Sequence, residues 1–267
     1  MSVQQRNNVK AWGTGPATLL FAHGFGCDQS MWRFLVPAFQ ERYRIVLFDA
    51  VGSGASDWSA YDRARYGSLH GYAQDVLEIA DAFAPEPVVF IGHSVAAMVG
   101  LLATIHRPGR FAAQVMVCPS PCYLNDGDYR GGFSLADIED LLQTLADNYV
   151  AWARAMAPAI MGAPQRPELG SELADSFCRA DPAIAAHFAR VTFLSDHRAD
   201  LPRSATPALI LQCTDDLLAP RCVGEYTHRA LAGSELRLIE NVGHCPHMSA
   251  PRASAEAIGS FLRHAVA

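Results

Sequence analysis

The chain has 267 residues, of which 50% are hydrophobic and 18% are charged, so it is long enough for one large globular domain with a full core. Its formal net charge of −6 comes without any basic run to offset phosphate charge, which argues against nucleic acid as a partner. The first residues lack the apolar segment of a signal peptide, and no apolar run approaches the roughly 18 residues that span a bilayer, so we expect no membrane partner.

The first predicted strand, Thr18–Ala22, leads into the glycine-rich loop His23-Gly24-Phe25-Gly26. A loop of this kind at a strand end can direct a backbone N–H group at a developing oxyanion. The Phe25 N–H is our first oxyanion-hole candidate; the alternative is a simple glycine-rich turn. Asp28 is expected to cap the helix that follows. The apolar face of that helix would contain Met31, Trp32, Leu35 and Phe39.

Strands and helices continue to alternate along the chain. Arg44–Asp49 is a predicted strand, a helix follows with apolar residues at helical spacing from Leu69 to Phe83, and Gln114–Cys118 is a later strand. Alternation with short connections predicts an α/β fold with a mostly parallel central sheet and helices on both of its faces.

The most informative stretch joins a buried strand, Val88–Ile91, to a helix that runs from Ala97 to His106. Between them lies Gly92-His93-Ser94-Val95-Ala96, which differs by one residue from the G-x-S-x-G nucleophile elbow. Such a sharp turn requires small neighbours and lifts the serine hydroxyl above the end of the sheet. Ser94 is therefore the candidate nucleophile, and the Val95 N–H is the second oxyanion-hole candidate. A coincidental turn of small residues is the alternative.

The strand pattern stops between Cys118 and Pro207, where only four helical stretches are evident. We interpret residues 119–206 as a helical lid inserted at a strand end, and residues 1–118 and 207–267 as the core. A separate helical domain is the alternative, and it is disfavoured because the alternation of strands and helices resumes afterwards.

Two later strand ends carry the groups that a nucleophilic serine requires. The strand that ends at Cys213 is followed by Asp215 and Asp216, and the strand that ends at Ile239 is followed by His244. Imidazole can accept the serine proton, and a carboxylate can orient the imidazole. The chain order serine, aspartate, histidine is that of α/β-hydrolases. The residues alone leave open which of the two adjacent carboxylates takes the role.

Other chemistries have weaker support. His247, three residues after His244, could form a metal site with the two aspartates, but that segment is a loop with Pro246 rather than a helix. No dinucleotide fingerprint follows an early strand, so we expect neither metal nor cofactor. Cys27 and Cys245 flank the candidate site without a base of their own. The seven cysteines show no framework spacing, which favours reduced thiols and a cytoplasmic location.

Longer stretches resemble one branch of the α/β-hydrolase family. The chain closely resembles the bacterial sigma-B energy-stress regulators of the RsbQ type and, more distantly, the plant karrikin and strigolactone receptors. The stretches that carry the resemblance are 25–30, 51–54, 92–95, 119–126, 147–149, 195–198, 211–213 and 243–249. Ala96 departs from the usual elbow glycine.

This resemblance implies an α/β-hydrolase fold with a V-shaped lid of four helices over an apolar pocket. By position it implies a triad of Ser94, Asp216 and His244, with Phe25 and Val95 at the oxyanion hole. It also implies a small hydrophobic ligand and, for the bacterial type, a partner phosphatase with a sensory domain. The implied pocket residues are Phe25, Tyr123, Phe133, Trp152, Met156, Phe193 and Leu218.

Three functions are compatible with these features: a serine hydrolase of small apolar esters or lactones, a ligand-binding sensor in which turnover is incidental, and a stand-alone carboxylesterase. None of the implied pocket positions is Arg or Lys, and burying an unpaired ligand charge is costly, so we expect a mostly apolar ligand. The alternative is that these aromatic residues are simply the core of the lid.

Overall fold

The computed structural model describes residues 1–85 and 87–266. Its strands are β1 (Lys10–Trp12), β2 (Thr18–Ala22), β3 (Arg44–Leu47), β4 (Val88–His93), β5 (Ala113–Val117), β6 (Ala208–Asp215) and β7 (Ser234–Val242). They form one sheet in the order β1-β3-β2-β4-β5-β6-β7. β1 pairs antiparallel with β3, and every other neighbouring pair in this order is parallel.

The central strands are continuous apolar runs because both faces of the sheet are covered. Every residue of β2, β4 and β5 is buried, which is typical of parallel strands packed between helices. β4, which leads to Ser94, lies in the middle of the sheet, as expected. The mostly parallel sheet predicted from the alternation of elements is confirmed.

The helices are α1 (Val3–Arg6), α2 (Leu69–Phe83), α3 (Val95–His106), α4 (Leu135–Asp147), α5 (Tyr149–Met161), α6 (Pro167–Cys178), α7 (Pro182–Phe193), α8 (Arg221–Ala230), α9 (Pro246–Ser249) and α10 (Pro251–Ala265). α4 to α7 lie between β5 and β6, where four helical stretches were predicted. Within the described ranges, no helix is both long and apolar enough to cross a membrane.

The segment after Asp28 differs from its prediction. Instead of one α-helix it forms two 3-10 helices, Gln29–Trp32 and Val36–Ala38. Pro37 explains the break, because it lacks the N–H group that a continuous α-helix would use. The Asp28 carboxylate still caps the first turn by accepting the Ser30 N–H at 2.9 Å, and the four apolar residues predicted for this face are all buried.

Candidate active site

Ser94 lies in the turn between β4 and α3 with φ 56° and ψ −126°, a backbone conformation that L-residues rarely adopt. The turn is tight: a Cβ on Gly92 would lie 2.6 Å from the Ala96 carbonyl oxygen, and one on Gly100 would lie 2.3 Å from the Phe90 ring. Gly100 thus permits the close approach of helix and strand despite the extra methyl of Ala96. Strained backbone of this kind costs about 1–3 kcal/mol and is concentrated at functional sites.

Three side chains from different strand ends form a hydrogen-bonded row. Ser94 Oγ lies 2.8 Å from His244 Nε2. His244 Nδ1 lies 2.8 Å from Asp216 Oδ2 and 3.0 Å from Asp216 Oδ1. All three residues are buried. The parallel sheet brings them together because β4, β6 and β7 end at the same edge.

Asp216 rather than Asp215 contacts the imidazole. Asp216 Oδ1 also accepts the backbone N–H groups of Leu218 at 2.9 Å and Ala219 at 3.0 Å. Burial acts to raise the pKa of Asp216, but the His244 charge and these hydrogen bonds outweigh it and hold the pKa below its usual value. The carboxylate is therefore ionised at neutral pH. Asp215 is exposed, and its backbone carbonyl accepts the Gly243 N–H.

The loop that carries Phe25 lies against the elbow. A Cβ on Gly24 would lie 2.6 Å from His93 Nδ1 and 3.3 Å from Ser94 Cβ, so the loop requires glycine there. His23 supports this loop: its Nε2 accepts the Ala50 N–H at 3.0 Å, and its Nδ1–H donates to the Gly24 carbonyl at 2.9 Å. Val95 is the first residue of α3, where a backbone N–H has no partner within the helix. Both candidate donors are thus next to Ser94 in the fold.

A narrow cavity opens at Ser94 and His244. Its wall is predominantly aromatic, aliphatic and sulfur-containing. Among the described residues that line it, none is Lys, Arg, Asp or Glu. The lining comprises Phe25, Cys27, His93, Ser94, Tyr123, Leu141, Trp152, Met156, Ile160, Leu173, Phe177, Thr192, Phe193, Leu218, His244 and Cys245.

Six of the seven positions that the resemblance implied lie in this wall. Phe133 does not: its ring contacts Tyr123, with centroids 6.5 Å apart, and Tyr123 lines the cavity in its place. Phe177 and Leu173 on α6 were missed as lining residues, although helical stretches were predicted in this part of the chain. Their helical spacing indicates a buried face but does not say whether that face meets the core or a cavity.

Aromatic contacts hold the wall in place. The Phe25 ring packs against the rings of Trp152, Phe177, Phe188 and Phe193 at centroid distances of 5.6–6.3 Å. Burial raises the pKa of Tyr123 to about 12, although an interaction with Ser94 opposes the shift. The Tyr123 hydroxyl is therefore neutral and can donate a hydrogen bond beside the serine.

Two further histidines lie behind the row without joining it. His93 Nε2–H donates to the His244 backbone carbonyl at 2.8 Å. The ring of His247 packs between Trp32, at 4.7 Å, and His93, at 4.5 Å. Neither ring nitrogen of His247 has a hydrogen-bond partner among the described residues. Among the described residues, the side chains near the row whose ligand atoms lie close enough to share a metal ion are Cys118, Asp216 and His244, a group without His247.

Buried His247 should make the protein sensitive to acid. Burial lowers the pKa of His247 to about 3, whereas an unfolded histidine has a pKa of about 6.5. Below pH 6.5 the unfolded chain therefore binds the extra proton, and the free energy of unfolding falls as the pH falls. Between pH 7 and pH 5, the free energy of unfolding measured by urea denaturation should fall by about 2 kcal/mol less in His247→Phe than in wild type.

Exposed His264 provides the control for this prediction. His264→Phe should follow the wild-type pH dependence, because this side chain lies at the surface of α10. An identical loss of stability in wild type and His247→Phe would show that His247 is not a source of the acid sensitivity.

Comparison with known proteins identifies relatives of the whole chain. Residues 19–257 match a family model described as the alpha/beta hydrolase family. The chain is 37% identical over 266 residues to karrikin insensitive 2 receptor CA of Petunia hybrida, covering 99% of this chain and 98% of the relative. It is 36% identical to the strigolactone esterase D14 of Arabidopsis thaliana, covering 97% and 96%. A solved hydrolase structure from Oleispira antarctica is 43% identical with a TM-score of 0.92, covering 98% of this chain and 96% of that one.

Proposed function

This chain belongs to the alpha/beta hydrolase family, and from that premise we propose that it is a serine hydrolase of small, hydrophobic esters or lactones. The observation that supports this proposal is the hydrogen-bonded row of Ser94, His244 and Asp216 at the wall of an apolar cavity. A serine hydroxyl is a weak nucleophile at neutral pH and needs an adjacent base. His244 Nε2, at 2.8 Å from Ser94 Oγ, is within reach of its proton.

The proposed reaction proceeds through an acyl-enzyme. Ser94 Oγ attacks the ester carbonyl while His244 Nε2 accepts the hydroxyl proton, and the Phe25 and Val95 N–H groups stabilise the oxyanion. The carbon–oxygen bond to the alcohol then breaks, and His244 returns the proton to the departing oxygen. A water molecule, deprotonated by His244, attacks the acyl-enzyme carbonyl; the bond to Ser94 Oγ then breaks, His244 returns the proton to Ser94 Oγ, and the acid is released. Asp216 keeps the proton of the neutral ring on Nδ1 and stabilises the imidazolium.

The cavity supports an apolar substrate. A buried ligand carboxylate or phosphate would require a paired cation or several hydrogen-bond donors. The described lining holds no Lys or Arg, while aromatic and aliphatic side chains favour burial of ring or alkyl groups at roughly 25 cal/mol per Å². We propose that residues 119–206 form the lid of this site, because α5, α6 and α7 supply much of the wall.

A fluorophosphonate probe tests the proposal directly. The probe should label the wild-type protein at Ser94, because an activated serine attacks phosphorus and displaces fluoride. Ser94→Ala should stay unlabelled. Labelling of Ser94→Ala at the wild-type rate would place the nucleophile elsewhere.

A ligand-binding sensor is the second candidate function. It is favoured because relatives that match nearly the full chain are named receptors, at 37–38% identity. If the protein is a ligand-binding sensor, the Ser94→Ala variant should still respond to its ligand. If the protein is a hydrolase or a stand-alone carboxylesterase, the Ser94→Ala variant should lose its response to that compound. The RsbQ-type role, the phosphatase partner with a sensory domain and the cytoplasmic location rest on the sequence alone, and they remain part of this second proposal.

Trp152 should determine which acyl chains fit. Its ring lines the cavity and stacks on Phe177 with centroids 5.6 Å apart. Trp152→Ala should therefore increase the kcat/KM for hexanoyl relative to acetyl p-nitrophenyl ester. It should also lower the free energy of unfolding by about 3–5 kcal/mol, because an aromatic ring is lost from a buried site.

Tyr149 provides a matched truncation on the same helix. It stacks on Trp152 at 6.1 Å and is buried, but it does not line the cavity. Tyr149→Ala should lower stability without changing the ratio of hexanoyl to acetyl rates. An unchanged ratio in a folded Trp152→Ala protein would remove Trp152 from the substrate-binding wall.

A further inference from the structure

A second cavity lies on the other side of the nucleophile turn. It is narrow in this structure and is lined in part by Val95 and Ala96, the two residues that follow Ser94, and by Val76 on α2. Ser94 itself lines the first cavity. The two cavities therefore approach each other across the start of α3.

A pair of phenylalanine rings connects the walls of the two cavities. Phe25 lines the first cavity, and Phe188 on α7 lines the second. Their ring centroids are 5.6 Å apart, and the Phe188 ring also packs on Tyr72, at 4.7 Å, in the wall of the second cavity. Phe25 is only partly buried and packs against two hydrophobic clusters of the described residues, one that contains Trp152 and one that contains Tyr72. Phe188 is thus a residue of the second wall whose ring directly contacts a residue of the first wall.

The polar groups in the second wall are mostly engaged within the protein. Both ring nitrogens of His23 are hydrogen-bonded to backbone groups. The Asp75 carboxylate accepts the Tyr66 hydroxyl and pairs with Arg6 and Arg65. Tyr72 adds one hydroxyl that stays neutral, since burial raises its pKa well above the usual value. This wall therefore suits an apolar group with at most one hydrogen-bonding atom.

We propose that the second cavity is a subsite for the distal part of the substrate's acyl chain, and that Phe188 closes it when shorter substrates bind. The inference rests on the serine-hydrolase function proposed above. In the acyl-enzyme the acyl group is bonded to Ser94 Oγ in the first cavity while the alcohol has left, so a long acyl chain would have to pass Phe25 and Phe188 to reach the second cavity. The subsite would let the protein accept chains that the first cavity alone does not hold.

Substitutions that enlarge the second cavity and then fill it again test the proposal. Phe188→Ala should raise the kcat/KM of p-nitrophenyl decanoate relative to acetate by about tenfold or more, the effect of burying roughly two further methylene groups. Val76→Phe fills the second cavity from α2 and should cancel that gain in the double variant. Phe177→Ala widens only the first cavity. Adding Val76→Phe to this variant should therefore not change its decanoate-to-acetate ratio of kcat/KM. Val76→Leu is the smaller filling variant if phenylalanine prevents folding.

The pattern of coupling decides the outcome. The subsite is supported if the effects of Val76→Phe and Phe188→Ala on the decanoate-to-acetate ratio are non-additive, while those of Val76→Phe and Phe177→Ala are additive. The subsite proposal is overturned if Val76→Phe couples equally to Phe188→Ala and Phe177→Ala, or if it does not couple to Phe188→Ala. Calorimetric binding of 1-decanol to Ser94→Ala variants gives a readout that needs no turnover. Tighter binding in Phe188→Ala, reversed by Val76→Phe, would retain the subsite even if wild type hydrolyses no ester and the proposed function fails.

Discussion

Ser94→Ala is expected to lower the kcat of p-nitrophenyl acetate hydrolysis by about 10⁴-fold or more, the scale on which loss of a nucleophilic serine acts in well-studied hydrolases. The reason is structural: Ser94 Oγ is the hydroxyl that His244 Nε2 contacts, at 2.8 Å, in the wall of the first cavity. Initial rates and active-site titration measure the loss. Residual turnover should not respond to fluorophosphonate.

A glycine variant separates chemistry from folding. Ser94 has φ 56°, so Ser94→Gly removes the same hydroxyl while relieving a strained backbone. Both variants should be inactive, and the glycine variant should unfold at the higher denaturant concentration of the two. A folded Ser94→Ala protein that retains the wild-type kcat would contradict the assignment of the nucleophile.

The α/β-hydrolase fold expected from the sequence is confirmed by the sheet and by hydrolase structures of the same fold. The central strands were predictable because parallel strands buried on both faces are unbroken apolar runs, as in Val88–Ile91. β1, Lys10–Trp12, was not predicted: its three residues are all exposed and have no apolar run. It exists through its antiparallel pairing with β3, a tertiary contact that the local sequence does not encode.

The positions of the three candidate catalytic side chains were predictable because each of them follows the end of a strand. Ser94, Asp216 and His244 follow three parallel strands, and such strands end at one edge. The cavity wall was less predictable because it depends on the packing of α4 to α7 over the sheet. Phe133 and Phe177 are the same residue type in the same inserted segment, yet only Phe177 lines the cavity. Its ring packs beside Gly26, where a Cβ would lie 2.3 Å from it.

Asp216→Asn is the second change with a large expected effect, a loss of about 10⁴-fold in kcat, on the scale known for this substitution in a serine protease. Asp215→Asn makes the identical chemical change one residue earlier, at an exposed side chain. It should leave kcat within a few-fold of wild type. The comparison is sharp because the two carboxylates belong to adjacent residues at the end of β6.

The orientation of the new amide explains the expected loss. Two backbone N–H groups, of Leu218 and Ala219, point at Asp216 Oδ1, so that position must remain an oxygen. The amide NH₂ then takes the place of Oδ2, which lies 2.8 Å from His244 Nδ1. The retained oxygen lies farther from Nδ1, at 3.0 Å, so the closer NH₂ donor favours the tautomer with the ring proton on Nε2, which faces Ser94 Oγ. The imidazole can then no longer accept the serine proton.

The same orientation determines the controls for the measurement. Asp216→Asn should retain nearly the wild-type free energy of unfolding, because the carbonyl oxygen of the new amide still accepts both backbone donors. Stopped-flow kinetics should show that acylation by p-nitrophenyl acetate slows, since a wrongly protonated His244 impairs the first proton transfer. Asp215→Asn should show the wild-type burst of p-nitrophenol. If Asp215→Asn slowed acylation more than Asp216→Asn, the orienting carboxylate would be Asp215, and His244 would have to turn towards it during turnover.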